Sequence, residues 1–161
     1  MVIEQNGNKS PHHTTTMRPS ILFALLLSTS AFVACQRQTH TVMTWNIRLD
    51  HSGDGPDRWE FRREAMATEI LNRKPAVIGF QEVLLNQLTF LEEKLPNYRR
   101  VGVARDDGKE KGEFSPVFYD TTVFRLISGR TLWLSPTPET PSKGWDAALP
   151  RVATLAILKE K

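Results

Sequence analysis

Apolar residues fall in short bursts along residues 41–161, and the spacing inside the bursts changes along the chain. "TVMTWNI", residues 41–47, mixes apolar and β-branched residues and predicts a strand, followed by the turn-rich loop "LDHSGDGPDR". From 57 to 73 the spacing becomes roughly helical, through Trp59, Phe61, Ala65, Met66 and Ile70, and Pro75 stops it. "AVIGF", residues 76–80, is an unbroken apolar run, the pattern of a strand buried on both faces. A second helix is expected over 84–95, burying Leu84, Leu88 and Leu91 and ending at Pro96. Strand signals then dominate. "YRRVGVA" alternates, "FSPVFYD" and "TVFRLISG" read as a strand pair around Asp120-Thr121, "RTLWLS" reads as another short strand, and "VATLAILKEK" begins one more. The loop "RDDGKEKGE" carries Gly108 and Gly112, and the Pro-rich stretch 136–151 reads as structureless.

The order β-α-β-α followed by strands predicts an α/β sandwich, with helices covering sheets. The 161 residues, 40% hydrophobic and 24% charged, suit one globular domain, and the net charge of +3 admits an anionic substrate without demanding one. No Lys/Arg block forms a nucleic-acid arm, and basic residues alternate with acidic ones through 54–64 and 105–113. No Gly-rich phosphate loop, paired CxxC or HExxH motif occurs.

The first forty residues have another character. Residues 1–16 are polar and aperiodic, and read as disordered or as an extension ahead of the start at Met17. Residues 17–35 place Arg18 before the apolar run 21–27 and end in small residues and Cys35, the only cysteine, which is the pattern of a secretory signal peptide. Val33-Ala34-Cys35 resembles a bacterial lipoprotein cleavage box, with Phe32 standing where leucine is usual. That resemblance implies lipidation at Cys35, a membrane anchor, and a short tether over 36–40. Gln36 after the cysteine favours the outer membrane of a cell envelope, with a periplasmic or secreted protein as the other outcome of export.

Two strands that end on polar residues suggest a shared site. Trp45-Asn46-Ile47-Arg48 closes the first, and Gln81-Glu82 closes the second. Ligands bind at the carboxyl ends of strands in open α/β sheets. A carboxylate there suits magnesium, which takes one or two carboxylates and keeps waters and phosphate oxygens. Against this, Glu82 could serve only the dipole of the helix it precedes, and Asn46 could satisfy backbone groups beyond its strand.

"MTWNIR" followed by "PAVIGFQEV" resembles the first two motifs of the endonuclease/exonuclease/phosphatase family, the DNase I-like superfamily, and the similarity runs from about Thr41 to the chain end. The resemblance implies a DNase I-like sandwich of two sheets flanked by helices. It also implies a metal-dependent phosphoester hydrolase of nuclease, phosphodiesterase or phosphatase type, using magnesium or, in its place, manganese. Glu82 matches the family's metal ligand, and Asn46 matches the asparagine beside metal and scissile phosphate. Arg151, in "LPRVAT", matches an arginine near the site, read equally well as a surface ion pair. Trp145 is expected to pin the long loop or to cap the pocket, and Glu113 to face substrate or solvent. Asp50, His51 and Asp54 crowd the loop after Asn46 without a metal-ligand spacing.

The family's later motifs (a histidine, Gly-Asp-x-Asn and Ser-Asp-His) do not occur, and all four histidines precede the second strand. The expectation is that 41–161 is the first half of the domain, a truncated piece inactive by itself. Its substrate would be nucleic acid or a small phosphodiester or phosphomonoester. A non-catalytic envelope lipoprotein that binds a phosphorylated or glycan ligand is the alternative. Oligomeric state is left open.

Overall fold

The computed structural model describes residues 38–161, and the elements of the fold all belong to the unit Thr39–Lys161. The expected signal segment, Cys35 and the start of the tether lie outside the described residues. No helix among the described residues is long and apolar enough to cross a membrane.

Strand β1 (Val42–Asn46) is followed by a 3-10 segment (Ser52–Asp57), helix α1 (Trp59–Arg73), strand β2 (Val77–Gln81) and helix α2 (Leu85–Lys94). Four more strands come after α2: β3 (Tyr98–Val101), β4 (Val117–Asp120), β5 (Phe124–Trp133) and β6 (Val152–Glu160). Residues 134–151 contribute no helix or strand, as their proline content foretells. One sheet has the order β1-β2-β4-β3, with β1 and β2 parallel, and β5 and β6 form a separate antiparallel ribbon. The result is the α/β arrangement of two sheets with flanking helices.

Alternation along the strands decides which face each residue takes. Ile78 and Phe80 of β2 and Phe118 of β4 are buried with Met66, Ala67 and Ile70 of α1 and Leu88 and Leu91 of α2. Met43 and Trp45 of β1 pack against the same core. The other face of β2 (Val77, Gly79 and Gln81) is only half-buried, so the strand is not enclosed on both sides as its apolar run suggested. In α1 the buried stripe is Trp59, Met66, Ala67 and Ile70; Phe61 and Ala65, expected in it, are exposed. Their positions turn them off the face that meets the sheet.

The strands around Asp120-Thr121 do not pair with each other. β4 pairs with β2 and β3, while β5 pairs with β6. The Asp120 carboxylate accepts from Thr122 N at 2.8 Å, and Thr121 N donates to Asn97 O at 2.8 Å, which fixes a turn that carries the chain from one sheet to the other. β5 also runs unbroken through Gly129, where the sequence suggested two strands. A Cβ on Gly129 would lie 2.5 Å from Val101 Cγ1, so the glycine permits close approach of ribbon to sheet instead of ending a strand.

Gly129→Ala should therefore cost about 1–3 kcal/mol of stability through overpacking. Val101→Ala in the same chain should recover part of that loss, because it removes the two methyls in the way. Strictly additive losses in a thermal-melt double-mutant cycle would show that this contact is not the constraint.

Candidate active site

Parallel pairing in the register Asn46↔Gln81 brings the carboxyl ends of β1 and β2 to one rim. Just past each strand the backbone turns left-handed, at Arg48 (φ 57°) and at Glu82 (φ 59°). Non-glycine residues rarely adopt this region, and such positions gather at functional sites. The turn at Glu82 presents its carboxylate to the end of β1. There Asn46 Nδ2 donates to Glu82 Oε1 at 2.9 Å, and Leu49 N donates to Glu82 Oε2 at 3.3 Å. The Asn46 amide oxygen is used in turn, accepting from Arg48 N at 2.9 Å. Asn46 thus orients Glu82, and the carboxylate keeps a free lone pair on each oxygen.

These contacts set the charge state. The Asn46 amide holds the Glu82 carboxyl below its usual range, burial opposes it, and Leu49 N–H, Arg48 and Arg105 assist. Arg48 is itself fixed by Asp54, from Nε to Oδ2 at 3.1 Å and from Nη2 to Oδ1 at 2.9 Å, a forked pair that lowers the Asp54 carboxyl pKa and raises that of Arg48.

Two side chains clamp the loops behind the rim. Gln87 is fully buried; its oxygen accepts from Asp50 N at 3.2 Å and Leu84 N at 3.0 Å, and its nitrogen donates to Arg48 O at 2.9 Å. It ties the loop after Asn46 to the start of the helix after Glu82. Arg62 of α1 donates to the carbonyls of Ile47, of Arg48 (2.7 Å) and of Asp57 (2.8 Å). Sequence reasoning missed both. Gln87 was legible as the third residue of α2, where a glutamine can reach back to the helix start.

The remaining candidates divide. Glu113 is no solvated loop charge: its Oε1 lies 2.9 Å from Arg105 Nη2, and both side chains are largely buried. Arg151 is exposed at the head of β6 and forms no ion pair among the described residues. Trp145 is 81% exposed and pins nothing. Its loop is instead held by Ser142 Oγ, which meets Ser135 Oγ at 2.6 Å and Thr137 Oγ1 at 2.9 Å. Asp50, His51 and Asp54 serve the loop: Asp50 accepts from Asn86 at 2.8 Å, His51 from Gly53 N at 3.1 Å, and Asp54 from Arg48. A cavity of about 690 Å³, lined in part by Trp45, Asn46, Arg48, Asp54, Arg62 and Met66, opens at the end of β1 beside Asn46.

Asn46→Ala should move the Glu82 carboxyl pKa up, toward the ordinary carboxylate value. A carboxyl with a lowered folded pKa contributes stability above its unfolded pKa and loses it as pH falls through the folded value. The acid-side loss contributed by Glu82 should therefore begin at higher pH in the variant. Carbon-13 titration of the Glu82 carboxyl reads this directly, and an unmoved midpoint would refute the role given to Asn46.

Several solved structures share this fold. An endonuclease/exonuclease/phosphatase from Bacteroides vulgatus superimposes with a TM-score of 0.71 at 35% identity, over 76% of this chain and 48% of that one. The mannosyl-6-phosphatase of Bacteroides thetaiotaomicron gives 0.74 at 40% identity, over 76% and 46%. A functionally unknown conserved protein from Enterococcus faecalis gives 0.70 at 30% identity, over 74% and 46%. No protein-family model and no curated protein matches the chain. The chain spans about half the length of the solved structures it matches, and over that span it has the DNase I-like α/β fold of the endonuclease/exonuclease/phosphatase proteins.

Proposed function

We propose that the chain belongs to the endonuclease/exonuclease/phosphatase family and that the Asn46–Glu82 rim is the cation and phosphate end of a phosphoester hydrolase. The observation that carries this reading is the Glu82 carboxylate, turned out of its strand by a left-handed backbone and held ionised by Asn46 at 2.9 Å. Glu82 is the residue that would hold the metal. The donor set suits magnesium, or manganese in its place, because one carboxylate with waters and phosphate oxygens satisfies such an ion. No cluster of three His, Cys, Asp or Glu that could hold a metal occurs among the described residues, so Glu82 would act with waters and substrate oxygens.

A bound magnesium supplies neutralisation of the charge that develops on phosphoryl oxygens. The chain's own groups do the rest of what this rim offers. Asn46 fixes the orientation of the carboxylate before any ligand arrives, so little reorganisation remains. The exposed guanidinium of Arg151 is the candidate phosphate contact on the substrate side. The likeness to the mannosyl-6-phosphatase supports a sugar phosphomonoester over nucleic acid, and the absence of any basic tract in the sequence agrees. Export and a lipid anchor at Cys35 belong to the same reading, supported by the signal-like pattern of residues 17–35.

Glu82→Gln should abolish manganese binding by the chain while the protein stays folded with a modestly lower melting temperature, because the amide is nearly isosteric but its nitrogen cannot accept the hydrogen bond from Leu49 N or Asn46. In any form of the protein that releases phosphate from mannose 6-phosphate, the same change should lower kcat/KM at least about a hundredfold. Unchanged manganese affinity would reject Glu82 as the ligand. Binding of phosphate with no hydrolysis in any form would favour the non-catalytic envelope protein. For the anchor, Cys35→Ala should shift the protein from the membrane to the soluble fraction, and an unaltered distribution would reject it.

A further inference from the structure

Two polar side chains are buried among the described residues, Gln87 and Arg105. Every polar atom of the Gln87 amide is engaged, which accounts for its burial. Arg105 is different. Its Nη2 meets Glu113 Oε1 at 2.9 Å, but its Nε is buried without a hydrogen-bond partner, and Asp106 Oδ1 at 3.6 Å is too distant to supply one. The backbone is pinned on both sides: Arg105 N donates to Glu113 O at 3.1 Å, and Arg105 O accepts from the Trp133 indole at 2.7 Å. A buried ion pair is a poor source of stability, because desolvating both charges offsets their attraction and apolar residues of like volume do as well. The pair therefore calls for a reason other than folding.

Its place in the fold supplies one. Phe114, next to Glu113, bridges Val83 in antiparallel fashion and is buried in the core beneath the helices. Alternation puts Glu113 on the opposite face. Asn46 lies on that face too, since its neighbour Trp45 packs against the same core. Val83 directly follows Glu82, and its paired backbone hydrogen bonds with Phe114 bring the segment that carries Glu113 alongside the rim.

We propose that Arg105 is a positioning residue of the rim, which locks Glu113 beside the Asn46–Glu82 pair and sets a fixed positive charge behind the two carboxylates. The rim then balances a divalent cation against a phosphate anion, where two uncompensated carboxylates would hold the cation tightly and repel the anion. This rests on the reading of Glu82 as the cation ligand.

The two partners have opposite electrostatic consequences. Arg105→Met leaves Glu113 uncompensated and should tighten manganese binding about three- to tenfold. Glu113→Gln leaves Arg105 uncompensated and should weaken it by a similar factor, whereas Arg105→Lys keeps the charge and should stay within about twofold. Titration of manganese into each purified variant, followed by electron paramagnetic resonance of the free ion, reads all three; melting curves monitor folding. A pair with only a structural role would loosen the rim in both Met and Gln variants, so affinities that fall together, or do not move, overturn the proposal. Should Arg105→Met fail to fold, a fall in Glu113→Gln with Arg105→Lys unchanged supports it, and any other combination overturns it. No manganese binding by the unaltered chain refutes the cation reading itself and this proposal with it. Binding by the unaltered chain that all the variants share refutes the role of Arg105 alone.

Discussion

The in-register parallel pairing of β1 with β2 underlies every other feature of the rim. Shifting one strand by a residue would send Met43 and Trp45 away from the helices and Asn46 into the core, because successive side chains take opposite faces. The register is therefore set by the burial of apolar side chains, and the meeting of Asn46 with Glu82 is its consequence. A hydrogen bond of 2.9 Å at the rim thus inherits its geometry from a core that extends across the sheet to α1 and α2.

Polar burial in this unit is concentrated where precision is needed. Gln87 ties the loop after β1 to the start of α2, segments distant in sequence, and Arg105 joins the two limbs of the 105–113 loop. Leaving such groups unpaired in a low-dielectric interior is costly, so a satisfied one restricts the backbone to a narrow geometry. Arg62 adds a third clamp from α1 on the loop after β1. The loop at 48–57 is long and glycine-containing, yet its carbonyls and amides are held by side chains from two helices and by its own Asp54 and His51. A rim built on such a loop can hold a carboxylate in a fixed direction, as tight ligand geometry requires.

The ribbon illustrates a different economy. β5 and β6 bury little of their own surface, with Leu155 43% and Ile157 61% exposed, and they approach the sheet closely where Gly129 meets Val101. β1 likewise has a single strand neighbour among the described residues. The well-packed part of the unit is thus the layer between the four-stranded sheet and the two helices, and the site lies at the rim of that layer.

The features legible from sequence are local ones. The helical spacing of Trp59, Met66 and Ile70, the stop at Pro75, the apolar run before Gln81-Glu82 and the proline-rich stretch before Arg151 each state their element in a few residues, since periodicity and proline chemistry act at short range. The pairing of Asn46 with Glu82 was also legible, because two strands ending on polar residues with a helix between them invite parallel alignment. Features that depend on distant neighbours emerged only when the chain was folded. That β4 and β5 join different sheets, that Gly129 lies inside a strand, that Phe61 faces outward and that Glu113 pairs with the buried Arg105 each depend on a surface contributed from elsewhere in the chain. Left-handed turns at Arg48 and Glu82 belong to the same class: neither residue favours that conformation, and the hydrogen bonds that impose it exist only once the two strands have met.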